Sequence, residues 1–229
     1  KNAKEVHNFI KETDYINIFI YLVGLAHTKG RKSNKNKFDQ INSQTLFNLL
    51  NACKMENKVP QKIIFASTIS VYGESLNDKY YPESKICKPR TPYSKTKLNS
   101  ENFLINNFKK KTWVLRLAPV YSTKFCLNIN RRIKLFSLNY KVGDGECKLS
   151  MCNMQNISYT TDAIIGNRLP FGIYNLSDKK TYTYNDLINF KSTYLLIKIP
   201  KLFFKIIYYF GKAFKIPFLI ENSIKLISD

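Results

Sequence analysis

A chain of 229 residues with 44% hydrophobic and 14% aromatic side chains can bury a sizeable core, as one domain or as one large domain with a small lobe. Its 37 Lys and Arg against 16 Asp and Glu leave a net charge of +21, yet the lysines are dispersed among Asn and Ile, and the scarcity of arginine argues against a reader of nucleic-acid base edges. Five cysteines (Cys53, Cys87, Cys126, Cys147, Cys152), odd in number and without C-x-x-C spacing, exclude a fully paired disulfide framework and suit free thiols in a reducing cytoplasm.

Residues 17–26 (NIFIYLVGLA) form a continuous apolar run ending in small residues, the pattern of a strand buried on both faces of a parallel sheet. A polar Lys/Asn/Ser loop follows through Lys37. Leu46, Leu49, Leu50 and Cys53 then recur at helical spacing and predict a helix over 42–55. Beyond Pro60, residues 62–66 (KIIFA) predict a second buried strand, running into Ser67-Thr68-Ile69-Ser70. Thr91 is placed to cap a helix whose first turn accepts Pro92, and the apolar side of that helix is Leu98, Phe103, Leu104 and Phe108. Residues 113–121 (WVLRLAPVY) predict a third strand. Strands alternating with helices over short joins imply right-handed crossovers and a doubly wound α/β sheet.

The pattern is less regular after Ser122. Residues 172–176 (GIYNL) predict a strand, and a helix is expected over 183–190. Residues 195–220 are apolar but broken by Lys198, Lys201, Lys205, Lys212, Lys215 and two prolines, so no run reaches the roughly 20 apolar residues of a membrane span. The segment reads as the lid of a substrate lobe, with a basic amphipathic stretch lying on a membrane surface as the alternative. No charged, apolar, cleavable leader opens the chain, so a cytoplasmic location is expected.

Chemistry concentrates in Tyr93-Ser-Lys-Thr-Lys97. A phenol and an ammonium four residues apart near a helix start project from one face. A tyrosine with a pKa near 10 is a poor base at neutral pH, and a neighbouring cation favours its phenolate. Such a phenolate can take a proton from a sugar hydroxyl as hydride leaves the same carbon. Y-x-x-x-K alone is a common spacing, so its meaning rests on context.

That context is a strand followed by S-T-I-S-V-Y-G (67–73), then P-Y-S-K-T-K (92–97), then WVLRLAPVY. The chain resembles the extended short-chain dehydrogenase/reductase family, and within it the NAD-dependent nucleotide-sugar epimerases and dehydratases. The likeness also takes in YLVGLAH, N-L-L-N-A-C (48–53), G-D-G-E (143–146) and GIYNLSD (172–178). It implies a Rossmann-like doubly wound parallel sheet, with residues 1–125 a partial NAD(P)-binding domain and 126–229 mostly a substrate-binding lobe. It makes Tyr93 the catalytic acid/base, Lys97 its activator and nicotinamide-ribose ligand, and Thr68 the hydroxyl that bonds the sugar oxygen. Ser70, two residues further along the strand, is a second hydroxyl candidate in the substrate site. Gly24 and Leu25 match the backbone that passes the cofactor. Asn42 matches a further cofactor-side asparagine in one register; the other register places Ile41 there. The resemblance also implies a homodimer built through two helices, one of them bearing the tyrosine.

Departures from the family pattern carry information too. The G-x-x-G-x-x-G loop, whose amides hold the cofactor pyrophosphate, has no counterpart in these 229 residues. An N-terminal portion of about 50 to 60 residues is therefore expected to be missing, at roughly 30 residues per βαβ unit. The C-terminal side is also expected to be short, and the chain by itself is expected to bind NAD weakly. NAD is the expected cofactor, with NADP left open. Pro119 stands where some epimerases carry a sugar-binding asparagine, and Leu149, with Lys148 beside it, where an arginine grips the diphosphate. Lys148 would serve there as a point charge without bidentate geometry.

The dehydratases of this family carry an Asp-Glu pair after the threonine. Here those positions are Ile69 and Ser70, which disfavours elimination of water. Epimerisation needs only reversible hydride removal, which Tyr93, Lys97 and Thr68 can support. A keto-sugar reductase would use the same residues with a reduced cofactor. A non-catalytic member of the fold and a basic nucleic-acid or membrane binder are weaker alternatives, the latter resting on charge alone.

Overall fold

The computed structural model describes residues 3–25, 38–73, 80–135, 138–191 and 196–227. Helix α1 (Ala3–Glu12) and strand β1 (Ile18–Tyr21) precede a π turn (Gln40–Gln44) that runs directly into α2 (Thr45–Met55). Next come β2 (Lys62–Thr68), a 3-10 turn (Ile69–Tyr72), α3 (Pro92–Phe108), β3 (Thr112–Leu117) and β4 (Val120–Tyr121). Then follow α4 (Leu127–Ile133), β5 (Lys134–Leu135), β6 (Leu138–Val142), β7 (Cys152–Asn153) and α5 (Met154–Ile165). The last elements are β8 (Gly172–Leu176), α6 (Tyr184–Phe190), β9 (Leu196–Ile199), α7 (Lys201–Ala213) and α8 (Pro217–Ile227).

The chain divides into two compact units. The first comprises Lys1–Tyr72, Ile86–Leu117 and Tyr159–Asn175; the second comprises Gly73–Lys85, Ala118–Ser158 and Leu176–Asp229. Residues 159–175 thus belong with the first unit although they follow residue 125, the position at which the sequence suggests a boundary.

The first unit is built on a four-stranded sheet in the order β1-β2-β3-β8, with β1–β2 and β2–β3 parallel. Strand alternation sends successive side chains to opposite faces. On one face Ile63 and Phe65 of β2, Val114 of β3 and Tyr21 of β1 pack with Leu46 and Leu50 of α2 and Leu104 and Phe108 of α3. On the other, Ile64, Trp113 and Leu115 pack with Ile164 of α5. Helices therefore cover both faces, as a doubly wound sheet requires. Two lysines finish helices of this unit. Lys58 Nζ donates to the carbonyls of Ile10, Lys11 and Thr13 (3.2, 2.8 and 2.8 Å), and Lys62 Nζ donates to those of Ile164 and Ile165 (2.8 and 2.6 Å). Both place a cation where a helix C-terminus leaves unpaired oxygens.

Two strands differ from expectation. β1 is only Ile18–Tyr21, and among the described residues it is the edge of its sheet: Tyr21 is buried but Ile20 is 42% exposed. The apolar run there is not buried on both faces, and its last residue, Ala26, lies outside the described residues. The third strand stops at Leu117 because Pro119 has no N–H to donate to a ladder. Chain pairing resumes at β4, which pairs with β7 in a separate two-stranded sheet.

In the second unit β6 pairs antiparallel with β5 and parallel with β9. Its core gathers Ile129 and Ile133 of α4, Tyr140 and Val142 of β6, Tyr184, Leu187 and Ile188 of α6, and Cys147, Leu149 and Met151. All five cysteines are free thiols, and no described helix is long and apolar enough to cross a membrane.

One buried ion pair ties α3 to β3. Arg116 Nη2 donates to Glu101 Oε2 at 2.7 Å, with the two side chains only 4% and 2% exposed. Removing one member strands a desolvated charge. Arg116→Ala is expected to lower stability by about 3–5 kcal/mol in urea denaturation, whereas Lys110→Ala, on an exposed turn, leaves the midpoint unchanged.

Candidate active site

The start of α3 is fixed before Tyr93 and Lys97 appear. Thr91 is the N-cap in extended conformation; its hydroxyl accepts the Ser94 N–H (3.1 Å), and the Ser94 hydroxyl accepts the Thr91 N–H (3.2 Å). This reciprocal capping box satisfies two helix-end donors, and Pro92 occupies a first-turn site that lacks an N–H requirement. Tyr93 and Lys97 then stand one turn apart at a defined place over the sheet.

Lys97 is 2% exposed. Its Nζ donates to the carbonyl of Ala66 on β2 (2.8 Å) and to that of Val23 just beyond β1 (3.3 Å). It lies 4.7 Å from the Phe65 ring centre and 6.0 Å from that of Tyr93. Burial pulls its ammonium down to about 8, with the Glu101 carboxylate opposing. Burial also pushes the Tyr93 phenol up.

Gly24 lies against the pair. A Cβ there would come 3.2 Å from Lys97 Nζ, 3.3 Å from its Cε and 3.9 Å from Tyr93 Cε2, tighter than the lysine could take unmoved. The next residue is clamped by Asn42: Oδ1 accepts the Leu25 N–H (2.6 Å), and Nδ2 donates to the Leu25 carbonyl (3.2 Å) and to Thr96 Oγ1 (3.1 Å). Thr96 in turn donates to the Tyr93 carbonyl (2.8 Å), and Ser100 donates to the Asn42 carbonyl (3.2 Å). Asn42 is fully buried, and its amide is spent on these partners, so what the structure displays for it is a positional role. Of the two registers open in the sequence, it is Asn42 whose side chain meets Leu25; Ile41 offers its carbonyl to the Tyr21 hydroxyl (3.4 Å).

Thr68 ends β2, two residues after the Ala66 that holds Lys97. Its Oγ1 donates to Ser70 Oγ (3.4 Å) and accepts the Ser70 N–H (3.3 Å), and both residues are half-buried. Tyr93, Lys97, Gly24, Leu25, Asn42, Thr68 and Ser70 all belong to the first unit. Pro119 and Lys148 belong to the second. There the Pro119 carbonyl accepts the Cys152 N–H (3.1 Å), and Lys148 is exposed.

Two polar clusters lay beyond the motif reading. In the first unit Glu101 accepts from Ser67, the neighbour of Thr68, and from Arg116, whose Nη1 reaches the Tyr72 hydroxyl (2.8 Å); Tyr72 donates on to Asn175 (2.7 Å). An arginine inside the apolar run WVLRL and a glutamate four residues after Lys97 were the available signals. In the second unit Asp178, the last residue of GIYNLSD, accepts from the hydroxyls of Tyr121 (2.8 Å) and Tyr182 (2.7 Å), from the Asn153 N–H (2.7 Å) and from Asn156 Nδ2 (2.6 Å). Burial opposes its ionisation, but these donors outweigh it and hold the carboxyl below its ordinary range. Tyr121 and Tyr182 line a cavity of about 250 Å³ with Lys180, Asp186, Met151 and Phe190.

The depressed Lys97 value has a stability consequence. Between about 8 and 10.5 the unfolded chain binds a proton at this lysine that the native chain has released, so native stability rises with pH across that window. Urea denaturation at a series of pH values is expected to show the parent gaining on Lys97→Met between pH 8 and 10.5. A difference that stays flat with pH would contradict the buried-ammonium assignment.

Solved structures with the same fold include UDP-glucuronic acid 4-epimerase from Bacillus cereus, determined with UDP-glucuronic acid and NAD. It is 21% identical over 87% of this chain and 67% of that one, with a TM-score of 0.68. ADP-L-glycero-D-manno-heptose-6-epimerase from Helicobacter pylori is 17% identical over 87% of this chain and 65% of that one (TM-score 0.68). UDP-N-acetylglucosamine 4-epimerase from Methanobrevibacter ruminantium is 21% identical over 86% and 67% (TM-score 0.66). No curated protein matches the chain significantly in sequence. The family model for NAD dependent epimerases/dehydratases matches residues 1–158, more than half of the chain, and with the fold and the arrangement around Tyr93 and Lys97 it places the chain in the NAD dependent epimerase/dehydratase family.

Proposed function

We propose that the chain carries the proton-transfer site of an NAD-dependent epimerase of nucleotide-diphosphate sugars, which oxidises one sugar hydroxyl carbon and reduces it again from the opposite face. The observation that supports this most is the placement of Tyr93 beside a buried Lys97 whose ammonium is pinned to the ends of two adjacent strands, with bare backbone at Gly24 against both. The residues suit a dinucleotide. Lys97 gives two of its three N–H groups to carbonyls, leaving one for a ribose hydroxyl, and any side chain at Gly24 would intrude on that contact. When bound, the oxidised nicotinamide would supply the hydride acceptor and a second positive charge.

The protein's own part is proton management. Tyr93 is protonated at neutral pH, since burial raises its phenol. With the cofactor's positive charge alongside, it would lose that proton to solvent; the phenolate would then take the sugar hydroxyl proton as hydride leaves the same carbon, and return it when hydride comes back to the other face of the turned keto-sugar. Thr68 holds the reacting oxygen, assisted by its contact with Ser70. Dehydration is disfavoured because Ile69 and Ser70 offer no acid or base, and because Glu101, bonded to Ser67 on the same strand end, is committed to Arg116. A keto-sugar reductase remains the alternative outcome of the test. Pro119 and Lys148 are proposed to face the sugar and the diphosphate.

The decisive assay is NMR of nucleotide sugars incubated with the enzyme and NAD. Epimers that equilibrate with only catalytic NAD support the proposal; stoichiometric consumption of NADH or NADPH would make it a reductase. Tyr93→Phe in the full-length enzyme is expected to lose turnover by about 10²–10⁴-fold with an unchanged unfolding midpoint. Retained activity would refute the assignment of Tyr93.

A further inference from the structure

We infer that helix α7 (Lys201–Ala213) is a docking face for an anionic lipid surface, a proposal independent of the catalytic reading. At about 100° per residue the helix has three sectors. Phe204, Ile207, Tyr208 and Gly211 form the inward one: Gly211 is buried, the other three are half-buried, and Phe204 packs on the core of the second unit. Gly211 is required there, since a Cβ would sit 2.9 Å from Leu219 Cβ and 3.2 Å from the Ile220 nitrogen of α8. The opposite sector is apolar and faces outward, with Leu202 66%, Phe203 53%, Ile206 60%, Tyr209 63% and Phe210 51% exposed, continuing to Phe214 at 65%. Along one side of that sector run the exposed lysines Lys205 and Lys212, with Lys215 following.

A continuous outward row of large apolar side chains is uncommon on a protein surface and marks something that covers it. The charge indicates what that is. No Asp or Glu occurs between Leu187 and Ile220, and the chain as a whole carries +21. A second copy would bring two lysine rows and two strongly positive molecules together. A bilayer with acidic headgroups accepts both features at once, the apolar row entering the acyl boundary and the lysines remaining at headgroup level. Phe and Tyr suit that boundary, being apolar bodies with, in Tyr209, a polar tip. The helix would lie in the surface rather than cross it.

Flotation of the 229-residue chain with vesicles of phosphatidylcholine alone, and with about 30 mol % phosphatidylglycerol, tests this. Binding is expected to the anionic vesicles, to weaken in high salt, and to weaken on Lys205→Ala with Lys212→Ala. The decisive variants keep the charge: Leu202→Ser with Ile206→Ser, and separately Phe203→Ser with Phe210→Ser, each expected to lose binding by about tenfold with an unchanged circular dichroism spectrum. Either double variant binding like the parent, while folded, would show that bulk charge and not this face does the work, and would overturn the proposal. So would a parent that ignores anionic vesicles, or one that instead forms a concentration-dependent dimer which the same variants dissolve.

Discussion

Helix α3 is the member on which the first unit depends, and the buried contact between its Glu101 and Arg116 of β3 is what sets it. The carboxylate is shared with Ser67 of β2, and the guanidinium extends to Tyr72 and from there to Asn175 of β8. One charge pair therefore reaches three strands of the sheet. A desolvated pair adds little net stability compared with an apolar replacement, but it permits very few arrangements of the groups around it. Lys97 stands one turn before Glu101 on the same helix, so whatever holds Glu101 in register also holds the ammonium at the carbonyls of Ala66 and Val23. The burial that lowers Lys97 and raises Tyr93 follows from this anchoring.

Features encoded by neighbours in the chain were legible from the sequence. The four-residue spacing of Tyr93 and Lys97, the Thr91 cap with Pro92, the buried apolar run of β2 and the strand at 172–176 all rest on local rules, and the helix cap needed only the reciprocal role of Ser94 added. Contacts between distant segments were much less visible. That Asn42 would clamp Leu25 and reach Thr96, 54 residues away, has no local signature. The extent of strands failed for a related reason: composition marks residues 17–26 as apolar, but only pairing decides which of them enter a ladder, and β1 ends at Tyr21. At the other strand the chemistry was present and underweighted, since Pro119 ends the donors that a continuous strand to Tyr121 would need.

The anchoring logic differs between the two units. In the first, polar groups converge on a strand-end site and are held by charge. In the second, Asp178 gathers two tyrosine hydroxyls, an amide side chain and a backbone N–H, so that among the described residues the carboxylate is stabilised by these neutral donors. Neutral hydrogen bonds are weaker individually than charge-assisted pairs but do not strand an opposite charge if one is lost. The second cluster should therefore tolerate substitution better than Glu101 and Arg116, and its two tyrosines line the adjoining cavity together with Lys180 and Asp186.

The strongly positive composition resolves into distinct uses once positions are known. Lys58 and Lys62 neutralise the carbonyl ends of helices, where each supplies two or three hydrogen bonds. Lys97 is buried under α3, and the loss of solvation lowers its pKa. Lys205, Lys212 and Lys215 do neither: they stand exposed beside an outward apolar row. A lysine-rich bias across a whole proteome would scatter such residues without regard to what lies next to them, and on most of this surface it does. Beside α7 the scatter coincides with the one described helix whose inward face is satisfied by Phe204 and Gly211 while its outward face remains as apolar as a core. It is that coincidence of sectors on a single helix, and not the net charge, that distinguishes a lipid-facing surface from an ordinary basic protein.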